Sequence, residues 1–302
     1  MQLLLNRRDF CTGVAALSLT SLPYRGRAAA GEVVKVGWPN ETEQAILGSM
    51  AALILERKLG FKVQRVANLG GNGISEQALL SGAIDVLPDY TGAWLANVLK
   101  MPPIADPKAA YEAVRDASET KFQLTWLTPA SFNNTYALAM KAAAVKASNA
   151  KRISDLKPIA RTKILGSSVE FAARPLDGYA GFVKRYGFKF GTLKPMDVGL
   201  MYSAIANDAV DIIVAYATDA RIGKLNLVVL EDDLRFFPAY NAAFAVRDEL
   251  MRRHPEIKGA IEAVTATLDV ATQIRLNGRA DIDGMDCAVV AETYLREKKF
   301  IA

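Results

Sequence analysis

Four tyrosines stand where short apolar runs give way to polar sequence. Tyr216 closes Asp211-Ile212-Ile213-Val214-Ala215, and Tyr90 follows Ile84-Asp85-Val86-Leu87. Tyr136 ends Phe132-Asn133-Asn134-Thr135, and Tyr240 ends Phe236-Phe237-Pro238-Ala239. Tyrosine offers a quadrupolar ring face and a hydroxyl. A quaternary ammonium has diffuse charge and no N–H donors, so hydrogen-bonding side chains grip it poorly. A box of aromatic faces attracts it, each face contributing about 0.5–2 kcal/mol. Four faces would give roughly micromolar binding once association costs are subtracted. The chain holds ten tyrosines, and strand-end tyrosines also serve as core or rim residues. The reading taken here is that the four rings converge on one small cationic ligand.

Such convergence needs strands that end at one edge. Val33 to Gly37 reads as a first strand, and Thr42-Glu43-Gln44 opens a helix with apolar residues at helical spacing. Residues 61–69 read as a second strand. Gly70-Gly71-Asn72-Gly73 is either an anion-cradling turn or a plain strand–helix turn. The run 211–216 is continuously apolar, as expected of a buried parallel strand with its carboxyl end at a ligand site. Strands at 163–166 and 225–230 continue the alternation, and amphipathic helices fill roughly 247–267, 269–277 and 284–298. The alternation predicts an α/β protein built of parallel-sheet units, with the helical tail packed on the first lobe.

The chain has 302 residues, 51% hydrophobic and 23% charged, enough for two cores. Residues 1–30 carry Asn6-Arg7-Arg8-Asp9-Phe10, a modest apolar stretch and Ala28-Ala29-Ala30, the pattern of a twin-arginine signal peptide with a small-residue cleavage site. Arg7, Arg8, Arg25 and Arg27 against Asp9 supply +3 of the net +5, which leaves +2 for the rest and no basic patch for nucleic acid. Beyond the signal the sequence holds one cysteine, Cys287, so no intramolecular disulfide is expected. The single histidine, His254, reads as a solvated helix-end residue. No metal-ligand cluster or nucleophile motif is present, so neither catalytic nor metal-binding residues nor a cofactor are expected.

Several motifs occur in order along the chain: Asn40-Glu41-Thr42-Glu43-Gln44, Asn68-Leu69-Gly70-Gly71, Asp89-Tyr90-Thr91-Gly92, Phe132-Asn133-Asn134-Thr135-Tyr136, Met196-Asp197-Val198-Gly199-Leu200, Ala215-Tyr216-Ala217-Thr218-Asp219 and Phe237-Pro238. Together they resemble the substrate-binding proteins of osmoprotectant ABC importers, the glycine betaine/choline/carnitine type, over nearly all of residues 33–300. The resemblance implies a two-lobed periplasmic binding protein fold (type II), each lobe a mainly parallel sheet flanked by helices. The expected division is residues 31–138 plus 239–302 for lobe 1 and 139–238 for lobe 2, with hinges near 137–141 and 234–240.

The resemblance also implies a non-enzymatic role: capture of glycine betaine or choline by Tyr90, Tyr136, Tyr216 and Tyr240. It places Arg174 on the ligand carboxylate, where bidentate geometry suits it, with Asn134 and Gln44 as polar neighbours. The implied partners are a membrane permease and an ATPase, and the expected state is a periplasmic monomer. The alternative is a ligand-sensing protein, or a binder of another compatible solute or amino acid. Two positions depart from the family pattern. Trp38-Pro39 stands where Ser-Lys is common, and Ala93 where a threonine is common. Both suggest a thinned carboxylate end, and Trp38 either adds a ring face or is buried near the first strand.

Overall fold

A computed structural model describes residues 32–302, so the expected signal peptide lies outside the described residues. Ten strands form two five-stranded sheets. The first contains β1 (Val33–Gly37), β2 (Lys62–Val66), β3 (Val86–Tyr90), β4 (Leu124–Trp126) and β10 (Ala242–Arg247), in the order β2-β1-β3-β10-β4. The second contains β5 (Tyr136–Lys141), β6 (Ile164–Ser167), β7 (Thr192–Pro195), β8 (Ile212–Tyr216) and β9 (Leu227–Val229), in the order β7-β6-β8-β5-β9.

The two sheets repeat one plan. Three strands run parallel in each, and a fourth enters antiparallel after the chain has crossed from the other lobe. The last strand pairs antiparallel with that one and so points with the first three. Two β-strands, β7 and β10, go unread in the sequence. β7 is a largely exposed edge strand, Thr-Leu-Lys-Pro, with no apolar alternation. β10 is alanine-rich, Ala-Ala-Phe-Ala-Val-Arg, and its small residues suit burial on both faces rather than strand propensity.

The chain crosses between sheets at 127–135 and 230–241. These two segments bond to each other. Asn133 and Asn241 form a bridge, Tyr240 N–H donates to Asn133 Oδ1 at 2.7 Å, and Thr135 Oγ1 donates to Pro238 O at 2.9 Å. The second expected hinge falls inside its crossing. The first, 137–141, does not, because those residues are held in β5 by β8 on one side and β9 on the other. We propose that the lobes divide within these two crossings, so that the expected boundary at 238 falls inside one and the expected boundary at 138 moves back to before β5.

The helix Thr42–Leu53 packs on β1 and β3 and against the helices Val270–Asp281 and Cys287–Glu297, so the helical tail covers the first lobe. Trp38 is buried over Gly48 of that helix. His254 does end a helix but is not solvated. Its ring sits edge-on to Phe61 at 4.8 Å, with Nε2 3.0 Å from Glu32 and Nδ1 3.4 Å from Glu256.

Candidate functional site

The sheet plan explains why four tyrosines distant in sequence meet. Tyr90 and Tyr216 are the last residues of the parallel strands β3 and β8. Tyr136 is the first residue of antiparallel β5, and Tyr240 lies two residues before antiparallel β10. The carboxyl end of a parallel strand and the amino end of its antiparallel neighbour lie at the same sheet edge. Register makes this explicit: Tyr136 pairs with Tyr216, and Ala242 with Tyr90. This is the edge where open α/β sheets bind ligands.

A cavity of about 310 Å³ opens between the lobes at this edge. All seven candidate residues border it: the four tyrosines, Arg174, Asn134 and Gln44. Three rings cluster closely. Tyr136 lies 5.3 Å from Tyr216 and 5.4 Å from Tyr240, with Phe171 and Phe237 behind it at 5.2 and 5.9 Å. Tyr90 reaches the cavity on its own, with its hydroxyl donating to Glu43 Oε1 at 2.7 Å. Burial pushes the phenols of all four upward, Tyr136 to about 12, so each ring is neutral. Gly92 is required here, because a Cβ at this position would come within 2.8 Å of both the Tyr240 ring and the Ala239 carbonyl oxygen.

Gln44 donates to Pro88 O at 2.9 Å, which braces the strand before Tyr90. Asn134 donates to Glu43 Oε1 at 3.1 Å. Arg174, a surface residue on local sequence grounds, is buried, and its guanidinium lies over the Tyr240 ring. Its Nη1 donates to Tyr240 Oη at 2.9 Å and to Asp177 Oδ2 at 3.2 Å, and Glu170 stands 3.7 Å away. The Tyr240 hydroxyl in turn donates to Asp177.

Sequence reasoning missed the acidic part of the wall. Glu41, Glu43, Glu170, Asp197, Asp219 and Asp281 border the cavity, against two guanidiniums, Arg174 and Arg221. Glu41 and Glu43 lie in the motif Asn40-Glu41-Thr42-Glu43-Gln44, whose spacing alone does not mark their carboxylates as cavity wall. Asp281, with Asn277, comes from the C-terminal helices, where nothing in the sequence signals a site. Glu43 is buried and accepts four hydrogen bonds: from Tyr90, from Asn134, from Thr218 Oγ1 at 2.6 Å and from Asn277 Nδ2 at 2.8 Å. Burial pushes its carboxyl up, and the four donors oppose that.

Several of these contacts cross between lobes. Thr218 and Arg221 of the second lobe meet Glu43, Asn277 and Asp281 of the first, and Asn72 N–H donates to Glu170 at 3.1 Å. Ala93 is buried but does not border the cavity, so the missing threonine hydroxyl leaves the wall unchanged.

Residues 32–297 match the OpuAC family, the substrate-binding domain of ABC-type glycine betaine transport systems. The chain belongs to this family. It is 35% identical to the glycine-betaine-binding protein of Pseudomonas aeruginosa over 301 residues, covering 96% of this chain and 94% of that one. It is 32% identical to the carnitine transport binding protein OpuCC of Listeria monocytogenes over 285 residues, covering 94% and 92%. A crystal structure titled glycine betaine/carnitine/choline ABC transporter superposes with a TM-score of 0.75 at 36% identity, covering 89% of this chain and 98% of that one. The fold of this OpuAC-family chain is the type II periplasmic binding protein fold, shared with solved relatives of the family. It is a substrate-binding protein of the glycine betaine/carnitine class of ABC transporter. Such proteins are solute binders rather than enzymes and work outside the cytoplasm.

Proposed function

We propose that this chain captures a small quaternary ammonium solute, glycine betaine or choline, in the cleft between its lobes. It then delivers the solute to a membrane permease driven by an ATPase. The reading includes a monomeric periplasmic protein exported by the twin-arginine route. The observation that carries it is the cluster of Tyr136, Tyr216 and Tyr240 in a cavity wall with more carboxylates than guanidiniums. Aromatic faces attract a diffuse cation, and the surrounding carboxylates add a favourable potential without needing N–H donors on the ligand.

Tyr90 completes the wall from the first lobe, with Asn134 and Gln44 fixing the backbone and carboxylate around it. Arg174 holds the Tyr240 hydroxyl, and in a glycine betaine complex it is the residue nearest in kind to a carboxylate partner. A ligand touching both lobes stabilises their apposition, because its contacts are complete only when the cleft is shut. Titration calorimetry of residues 31–302 with glycine betaine, choline and carnitine in parallel tests the reading. Micromolar binding of one of them supports it. A folded protein that binds none of the three overturns it.

A further inference from the structure

Both guanidiniums in the wall are already committed to the protein. Arg174 is bonded to Tyr240 and Asp177. Arg221 makes a two-point contact with Asp219, at 2.8 Å from Nε and 2.5 Å from Nη2, and stands 3.4 Å from Asp281. It also stacks over Tyr202 at 4.3 Å. The acceptors are in the opposite condition. Glu41 borders the cavity, and no donor reaches its carboxylate among the described residues. Asn72 also borders it, is only 6% exposed, and its Oδ1 meets no donor. Glu170 links the two, because it accepts the Asn72 N–H and its charge acts directly on Glu41.

We propose that Glu41 is a specificity-determining residue: its carboxylate, with Asn72 Oδ1, receives a hydrogen-bond donor or second positive charge on the ligand end opposite the quaternary ammonium. The site therefore takes hydroxyl- or amine-terminated quaternary ammonium cations in preference to carboxylate-terminated ones. This inference rests on the tyrosine-site reading above and narrows its ligand.

The electrostatics run the same way. Glu41 is pushed up to about 7, first by burial and then by Glu170, with Asp281 and Asp197 adding to the effect and Arg221 opposing it. An anion so crowded gains from a cation or donor placed against it. A ligand carboxylate there would add one more like charge and so be disfavoured.

The test is calorimetric titration with choline, glycine betaine and (2-aminoethyl)trimethylammonium on the wild-type protein and on Glu41→Gln. Choline is expected to bind wild type about tenfold more tightly than glycine betaine, and the dication at least as tightly as choline. Glu41→Gln should shrink the choline-to-betaine ratio about fivefold, mostly by weakening choline. The wild-type ratio should also fall between pH 8 and pH 6, as Glu41 takes up a proton, which tests the residue without a variant. Glycine betaine binding as well as choline, or a ratio untouched by both the substitution and pH, overturns the inference while leaving the tyrosine site standing. Failure of all three ligands, and of carnitine, to bind folded wild type overturns the tyrosine-site reading and this inference together.

Discussion

Thr218 Oγ1 donates to Glu43 Oε2 at 2.6 Å, joining side chains 175 residues apart in sequence and on different lobes. Glu43 sits in the first turn of the helix Thr42–Leu53, where the helix N-terminus favours a negative charge. Through Tyr90, Asn134 and Asn277 the same carboxylate touches β3, the first crossing segment and the helix Val270–Asp281. One buried group therefore joins the tyrosine wall, the first crossing segment and the second lobe.

Glu43→Gln keeps the volume but turns one acceptor oxygen into a donor. Whichever way the amide lies, it faces two existing donors. An unsatisfied buried polar group costs about 1–3 kcal/mol. We expect a lower melting temperature, and ligand affinity reduced about tenfold. Thr218→Ala removes only the inter-lobe bond, so it should weaken binding with little loss of melting temperature. Equal melting and equal affinity in both variants would show that the hub supports neither folding nor closure.

Tyr136 and Tyr216 are in register across β5 and β8, so each ring helps fix the other. Tyr216 is half-buried at the cavity edge of the pair, and Tyr136 is buried between it, Tyr240 and Phe171. Tyr216→Ala is expected to cost about tenfold or more in affinity for a quaternary ammonium while the protein stays folded. Tyr136→Ala should cost melting temperature as well, because it opens a void under three rings. Unchanged binding in Tyr216→Ala, measured by calorimetry, would remove this ring from the site.

Arg174 separates two accounts of the site. If it binds a ligand carboxylate, Arg174→Ala weakens glycine betaine far more than choline. In the structure its Nη1 serves Tyr240 and Asp177, whose carboxyl would be left buried beside the tyrosine. On that geometry we expect both ligands to lose affinity by similar factors, about tenfold. A loss confined to glycine betaine would instead put a carboxylate contact on this guanidinium.

Much of this was legible in the sequence, and the failures have physical causes. Tyr90, Tyr136, Tyr216 and Tyr240 announced themselves because each ends or begins an apolar run, and strand ends at one edge are where a two-lobed α/β protein keeps its ligand. Arg174 needed the family resemblance, because nothing local in Phe171-Ala172-Ala173-Arg174-Pro175 predicts that Asp177 and Tyr240 will bury it. Asn277 and Asp281 were invisible, since a helix contributing to a site from the chain's far end carries no local mark of it. His254 was misjudged because one helix-end histidine looks like another until Glu32 and Phe61 are placed against it. β10 was missed because its alanines answer to close packing between β3 and β4 rather than to strand propensity.

Behind Tyr90 lies a second pair of enclosed carboxyls, Glu76 and Asp89, both only 1% exposed. Asn97 donates to Glu76 Oε1 at 3.0 Å and Tyr90 N–H to Asp89 Oδ1 at 2.8 Å, while Asp89 Oδ2 has no partner. Burial is the main reason both carboxyls are pushed up, and for Asp89 the neighbouring Glu76 is the next. Glu76 rises from 4.5 to about 7. In the folded chain Glu76 keeps its proton across this window, while in the unfolded chain it has released it. The native state thus binds more protons, and stability falls as pH rises from 4.5 towards 7. Glu76→Gln mimics the protonated form and removes the part of that slope that Glu76 contributes, leaving the part that the raised Asp89 carboxyl contributes. Its melting temperature should match wild type near pH 4.5, where both carry a neutral side chain, and exceed it at pH 8. Thermal melts across that range check this. A variant that tracks wild type at every pH, or that melts lower at pH 8, would show that Glu76 is ionised in the fold and stabilised as the anion.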